Sequence, residues 1–204
     1  DLSYLDRADY KWMNFNVGYN WNLPGSWYRS ATILGGGQQQ FNYDGDKTDA
    51  QAQAFTQINF LNYWRLRSFY IYHPAVLDDR LTRGGPVVMR SGYKILMGQV
   101  STDPRARAVF DVSVQGGPSV GARGHQVSIA PGIALKPASS IFISLTPTFS
   151  SSEDDAQYVT TENDPTATAF YGHRYVFAYL KADTWSLDTR INWTFTPNLT
   201  LQLY

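Results

Sequence analysis

The residues that could do chemistry are few and scattered. His73, His125 and His173 are the only imidazoles in 204 residues, and there is no Cys. A zinc site needs His or Cys ligands at short spacing, and none of these histidines has a second His or a Cys at such spacing. Acid–base hydrolysis needs a His beside a carboxylate. Two groupings offer that: His173 with Asp154 and Asp155, and His73 with Asp78 and Asp79. Both fall in polar stretches, where solvated loop residues are the simpler reading. No catalytic, metal or cofactor residue is assigned, and an outer-membrane hydrolase with an extracellular loop site stands as the rival.

Two loops carry oxygen and nitrogen groups in tight spacing. Asp44-Gly45-Asp46 with Asp49 could hold a calcium ion, but it lacks the length and terminal Glu of an EF-hand loop. Asp-Gly is a turn signal, and a turn is expected. DDRLTRGGP, residues 78–86, is the most distinctive loop. Asp78 and Asp79 can pair with Arg80 and Arg83, and Gly84-Gly85-Pro86 reverses the chain. It reads either as a constriction, plug or partner grip, or as a self-paired surface loop. Arg65, Arg67, Arg105 and Arg107 flank short turns and read as rim residues that meet headgroups.

The elements that would position these groups are strands. In KWMNFNVGYNWNL, residues 11–23, Met13, Phe15, Val17, Tyr19, Trp21 and Leu23 alternate with Asn14, Asn16, Gly18, Asn20 and Asn22. A strand sends alternate side chains to opposite faces, so one face is apolar and the other amide-lined. The pattern recurs over 106–114, 125–136, 141–150 and 185–195, where Ser186, Asp188, Arg190 and Asn192 alternate with Trp185, Leu187, Ile191 and Trp193. No stretch has sustained helical periodicity, so the chain is all-β.

Turn spacing sorts the strands. Short turns are expected at Pro24-Gly25-Ser26, Asn62-Tyr63-Trp64, Asp103-Pro104, Lys136-Pro137-Ala138 and Thr196-Pro197-Asn198. Longer loops fall at 44–49, 73–87, 116–124 and after Phe149. Short turns on one rim and long loops on the other are how outer-membrane barrels are built. A soluble β-sandwich explains the alternation but not this rhythm. Parity then requires 156–161 and 174–179 to pair as a hairpin above the membrane, with its tip at 162–172. The whole extracellular hairpin covers 151–182, and the next spanning strand runs over 183–195. Trp12, Trp21, Trp27, Trp64, Trp185 and Trp193 are expected near strand ends, as aromatic girdles.

Composition agrees. Tyr, Phe and Trp make up 15% of the chain, yet mean hydropathy is −0.33. Strands that alternate lipid-facing and water-facing residues give that average. With 17 basic and 17 acidic residues, no nucleic-acid partner is expected. The expectation is an all-β, antiparallel transmembrane barrel of the outer-membrane type. Residues 1–204 would form one segment of a larger barrel, of roughly ten strands with the last cut short. Asn14, Asn16, Asn20, Asp188, Arg190 and Asn192 would face its lumen. The expected roles are porin-like passage of a solute or polymer, anchoring of a surface complex, or a structural part in a larger membrane assembly.

The strings DDRLTRGGP (78–86), DAQYVTTENDPTATAFYGHRYVFA (155–178) and SLDTRINWTFTPNLTLQLY (186–204) closely resemble the C-terminal barrel region of a bacterial family of unknown function, numbered 5916 among such families. The resemblance covers most of the chain and is strongest from Asp78 onward. It implies an outer-membrane barrel and brings no catalytic residues. In that family the region follows a domain similar to family-9 carbohydrate-binding modules, which has no counterpart in these residues. The partners implied are outer-membrane lipid, with other protein subunits or a carbohydrate.

Overall fold

The computed structural model describes residues 7–204; residues 1–6 of the expected barrel segment lie outside them. The strands are β1 (Lys11–Trp21), β2 (Tyr28–Phe41), β3 (Lys47–Phe60), β4 (Arg65–His73), β5 (Val76–Asp78), β6 (Val88–Arg90), β7 (Gly92–Ser101), β8 (Ala108–Val120), β9 (Gly124–Ala138), β10 (Ile141–Asn163), β11 (His173–Thr196) and β12 (Leu199–Leu203). Ten of them make one sheet in the order β1-β2-β3-β4-β7-β8-β9-β10-β11-β12, while β5 and β6 pair separately. Every pairing is antiparallel. The described residues do not close into a barrel, since β1 and β12 are the two ends of the sheet. No helix among them is long and apolar enough to cross a membrane.

The register builds the two faces. Residues directly opposite on neighbouring strands share a face. One row reads Trp21, Ala31, Ile58, Leu66, Val100, Val112, Pro131. Pro147 and Leu187 oppose each other farther along that face. The neighbouring row on the other face reads Asn20, Thr32, Gln57, Arg67, Gln99, Ser113, Ala130. Pro131 and Pro147 lack N–H groups, and the β9–β10 ladder is interrupted around them, resuming in register at Phe149 with Ile129.

Burial is inverted relative to a soluble protein. Along β7 and β8 the apolar face is exposed at Leu96, Val100, Phe110, Val112 and Val114. The opposite face is half-buried or buried at Ile95, Met97, Gln99, Asp111 and Ser113. A flat bare sheet would expose both faces alike. A sheet curled around its polar face shields that face and leaves the apolar one outside. Buried hydrophobic residues among those described are Ala50, Val76 and Ile95. Among the described residues the second sheet is the two-stranded β5–β6 hairpin, which meets β3; none spans a face of the ten strands, as a β-sandwich requires.

One rim carries turns at 22–27, 61–64, 102–107, 139–140 and 197–198; the other carries 42–46, 74–91, 121–123 and 164–172. The expected loop at 116–124 is mostly strand. Gly116-Gly117-Pro118 looks like a breaker but continues β8, opposite Val127, Gln126 and His125. The expected turn at Lys136-Pro137-Ala138 is the end of β9, and the chain reverses two residues later. The loop expected after Phe149 is also strand, because β9 and β11 flank β10 as far as Asp154. The 44–49 loop is shorter than expected, with β3 starting at Lys47.

Beyond Asp154, β10 and β11 pair only with each other. This ribbon joins Gln157–Asn163 to His173–Ala178 and carries two register shifts, between Asp154 and Gln157 and between Tyr158 and Thr160. It is the upper part of two unbroken strands of 23 and 24 residues rather than a separate hairpin. Trp185 lies mid-strand against Phe149, with ring centroids 4.6 Å apart, so it is not a strand-end residue.

Candidate functional site

The polar face is a hydrogen-bonded sheet of amides and hydroxyls. Gln53 donates to Oδ1 of Asn16 at 3.0 Å, Thr32 to Oδ1 of Asn20 at 2.8 Å, Gln51 to Gln53 at 2.9 Å and Asn59 to Ser30 at 2.8 Å. Asn14 stands opposite Gln38, which donates to Asp49 at 2.9 Å. Gly36 allows this packing, since a Cβ there would strike the Asn16 side chain. At the far end Asp188, Arg190 and Asn192 stand opposite Thr146, Ser144 and Phe142. Nε of Arg190 donates to Asn192 at 3.2 Å.

The 74–91 connection is ordered by the β5–β6 hairpin, and residues 79–87 form its tip. Asp78 accepts from the backbone N–H of Arg80 and Leu81 at 2.9 and 2.8 Å and pairs with Arg90 at 3.6 Å. Thr82 is 1% exposed and donates to the Pro86 carbonyl at 2.9 Å. So part of the loop is self-paired, and the rest reaches outward. Asp79 is held by Arg7, and Arg80 pairs with Asp9 at 3.6 Å. Burial would raise the Asp79 pKa, but the hydrogen bond and charge of Arg7, with a further bond from Asn42, hold it below the ordinary value. Arg83 takes a positive φ of 53° before Gly84 at 99°. Its guanidinium lies over the Tyr158 ring at 4.4 Å, and a Cβ on Gly85 would strike Tyr175. The tip therefore joins the segment before β1 to the β10–β11 ribbon.

Neither histidine grouping expected from the sequence is assembled. His73 is bonded to Asp49 at 2.6 Å, not to Asp78 or Asp79, and stacks on Tyr93 with centroids 4.8 Å apart. It is 6% exposed. Nδ1 of His173 is buried without a partner, while Asp154 accepts from the Ala156 N–H and Asp155 from the Arg123 N–H. The 42–46 segment is a turn: the Asn42 N–H donates to the Asp46 carbonyl at 3.0 Å, the Asp46 N–H donates to Asn42 Oδ1 at 2.8 Å, and Gly45 has φ 95°. Asp49 turns away from it toward His73 and Gln38.

The arginines divide in a way the sequence reading missed. Arg105 is a rim residue, bidentate to Asp103, and its guanidinium and that of Arg29 both lie over the Tyr63 ring, at 3.1 and 4.2 Å. Hydrogen bonds from the Arg105 side chain and backbone lower the Asp103 pKa to about 2. Arg65 and Arg67 instead stand on the polar face. Nε of Arg65 donates to Asn59 at 3.2 Å and Nε of Arg67 to Gln57 at 2.9 Å. The alternation of Arg65, Arg67, Phe69, Ile71 and His73 against Leu66, Ser68, Tyr70 and Tyr72 held that signal. A cavity of about 600 Å³ opens beside Arg67, lined also by Phe55, Phe69, Met97, Gln99 and Gln115.

Compared with protein-family models, curated proteins and solved structures, the chain matches none.

Proposed function

We propose that this chain forms part of the wall of an outer-membrane β-barrel that passes polar solutes, with the 79–87 tip as a constriction on the rim that carries the 74–91 and 164–172 loops. The observation that carries the reading is the inverted burial in the middle of the sheet: Ile33, Leu96, Val100 and Val112 are exposed on the apolar face, while Gln38, Gln53, Gln57 and Gln99 are half-buried on the polar one; the edge strand β1 is exposed on both faces. In water such a sheet would leave a large apolar face bare, which soluble monomers avoid. In a bilayer that face meets lipid and the amides meet a watery lumen. Further strands would complete the wall, since β1 and β12 are open edges. The test is reconstitution into planar bilayers. Steps of conductance are expected, enlarged when residues 79–87 are replaced by a short Gly-Ser linker; a protein that inserts and never conducts would refute passage.

Anchoring of a surface complex is a second reading, favoured by the β10–β11 ribbon, which runs on alone beyond Asp154. Cross-linking from Thr166 or Glu162 in intact cells would then trap a partner.

A further inference from the structure

The Arg67 cavity has two chemically different halves on adjacent rows. One row pairs Arg67 with Gln99 and Ser113; the next pairs Phe55 with Phe69, Met97, Gln115 and Ser128. Phe55 and Phe69 lie 6.5 Å apart with rings tilted by 59°. Side chains two apart on a strand share a face about 7 Å from each other. A guanidinium with amide neighbours is thus placed one step from an aromatic and thioether patch.

The guanidinium is fixed but not neutralised. Its Nε–H is spent on Gln57, and Arg67 forms no ion pair among the described residues. Arg65, one step toward the short-turn rim, repeats this with Asn59. A guanidinium has five N–H donors, so the terminal nitrogens keep four for a ligand. Asp111 and Asp188 share the polar face, but among the described residues neither is ion-paired with an arginine. An amide oxygen orients the fork without cancelling its charge, whereas a carboxylate would satisfy it outright. A water-filled wall has no need of half-buried Phe and Met beside that charge.

We propose that this cavity binds small organic anions, a carboxylate or phosphate on an aryl or short hydrocarbon body. The oxyanion takes the Arg67 terminal nitrogens and Gln99, and the body lies on Phe55, Phe69 and Met97. The proposal rests on the passage reading in naming the solute class, but it is tested separately. Benzoate, phenyl phosphate and neutral benzyl alcohol are titrated calorimetrically into the protein purified in detergent. Benzoate and phenyl phosphate are expected to bind, and benzyl alcohol at least about tenfold more weakly. Arg67→Gln should weaken benzoate by about tenfold or more, and Arg67→Lys by less, because the charge stays while the fork is lost. Phe69→Ala should weaken benzoate and leave acetate unchanged. Benzyl alcohol binding as well as benzoate, no benzoate binding, or no loss in Arg67→Gln would each overturn the site. If Arg67→Gln does not fold, the Phe69→Ala contrast between benzoate and acetate decides. Benzoate binding with no conductance would sink passage and keep the site; conductance with no benzoate binding would do the reverse.

Discussion

The guanidinium carbon of Arg83 sits 4.4 Å from the centroid of the Tyr158 ring, although β8 and β9 stand between β7 and β10 in the sheet. With Asp79 bound to Arg7 at the other end, the five loop residues 79–83 tie the segment before β1 to the ribbon. The curl of the sheet makes this short bridge possible. An exposed cation–π contact is worth about 0.5–1 kcal/mol. Arg83→Ala should therefore speed amide exchange in 79–87 by a few-fold, roughly as that energy dictates. Gly85→Val should do more, because its side chain would land on Tyr175. Unchanged exchange in both variants would mean that the tip is held elsewhere.

Facing is tested on β8, where Val112 is exposed on the apolar face and Ser113 is half-buried on the polar one. If the apolar face meets lipid, Val112→Arg should destabilise the membrane-embedded protein by about 2–4 kcal/mol. Ser113→Arg should cost far less. Denaturant unfolding in lipid vesicles measures both, and equal costs would remove the assignment of lipid to that face.

The sheet was legible because alternation is a local property: MNFNVGYNWNL states its two faces without help from any other strand. Turn positions were less so. Gly116, Gly117 and Pro118 have the chemistry of a breaker, yet they continue β8 because β7 and β9 flank them. The loop contacts were not legible at all. Nothing near Arg83 points to Tyr158, and nothing near His73 points to Asp49, because the pairing of distant strands decides both. Arg67 is a simpler case: its nearness to a turn suggests a rim residue, but the alternation of its own strand puts it opposite Gln57 on the polar face.

The His73–Asp49 bond should be structural. His73→Phe keeps a ring on Tyr93 but removes the donor to Asp49, so a loss of about 1–3 kcal/mol is expected. Asp49→Asn should cost less, since Gln38 still has an acceptor there. Both are read from unfolding in lipid, and no hydrolase activity should depend on either. A variant with wild-type stability that lost an esterase or peptidase activity would revive the hydrolase rival.

Asp164 orders the ribbon tip. It accepts from the Thr166 hydroxyl at 2.5 Å, from the Thr166 N–H at 2.9 Å and from Arg174. The Thr166 hydroxyl, then Arg174, lowers its pKa from 3.8 to about 2. A lowered folded pKa gives stabilisation that is complete above the unfolded value and lost as pH falls through the folded one. The tip should therefore keep its order at pH 4 and lose it toward about pH 2. Carboxyl carbon NMR would follow the titration, and Thr166→Ala should raise the midpoint. A wild-type midpoint near the model-peptide value would show that these bonds do not form in solution.

The open edges make the last prediction. β1 pairs only with β2 and β12 only with β11, so each leaves a row of backbone groups without partners among the described residues. In hydrocarbon each such group costs several kcal/mol. Both edges must then be covered wherever this sheet meets lipid, either by each other, by strands outside residues 7–204, or by a second copy. Closure on itself would bring Val17 near one of Leu199, Leu201 or Leu203, all on the exposed apolar side. A disulfide needs Cα atoms within about 7 Å, so cysteine pairs at these positions report closure directly. We expect no cross-link within one chain, together with slow amide exchange along β1 in the membrane. That combination means the edge is paired, but not with β12. A disulfide within one chain would show that these strands close by themselves as a small barrel. Fast exchange along β1 in lipid would show that the edge is bare, and the membrane placement of the sheet would fall with it.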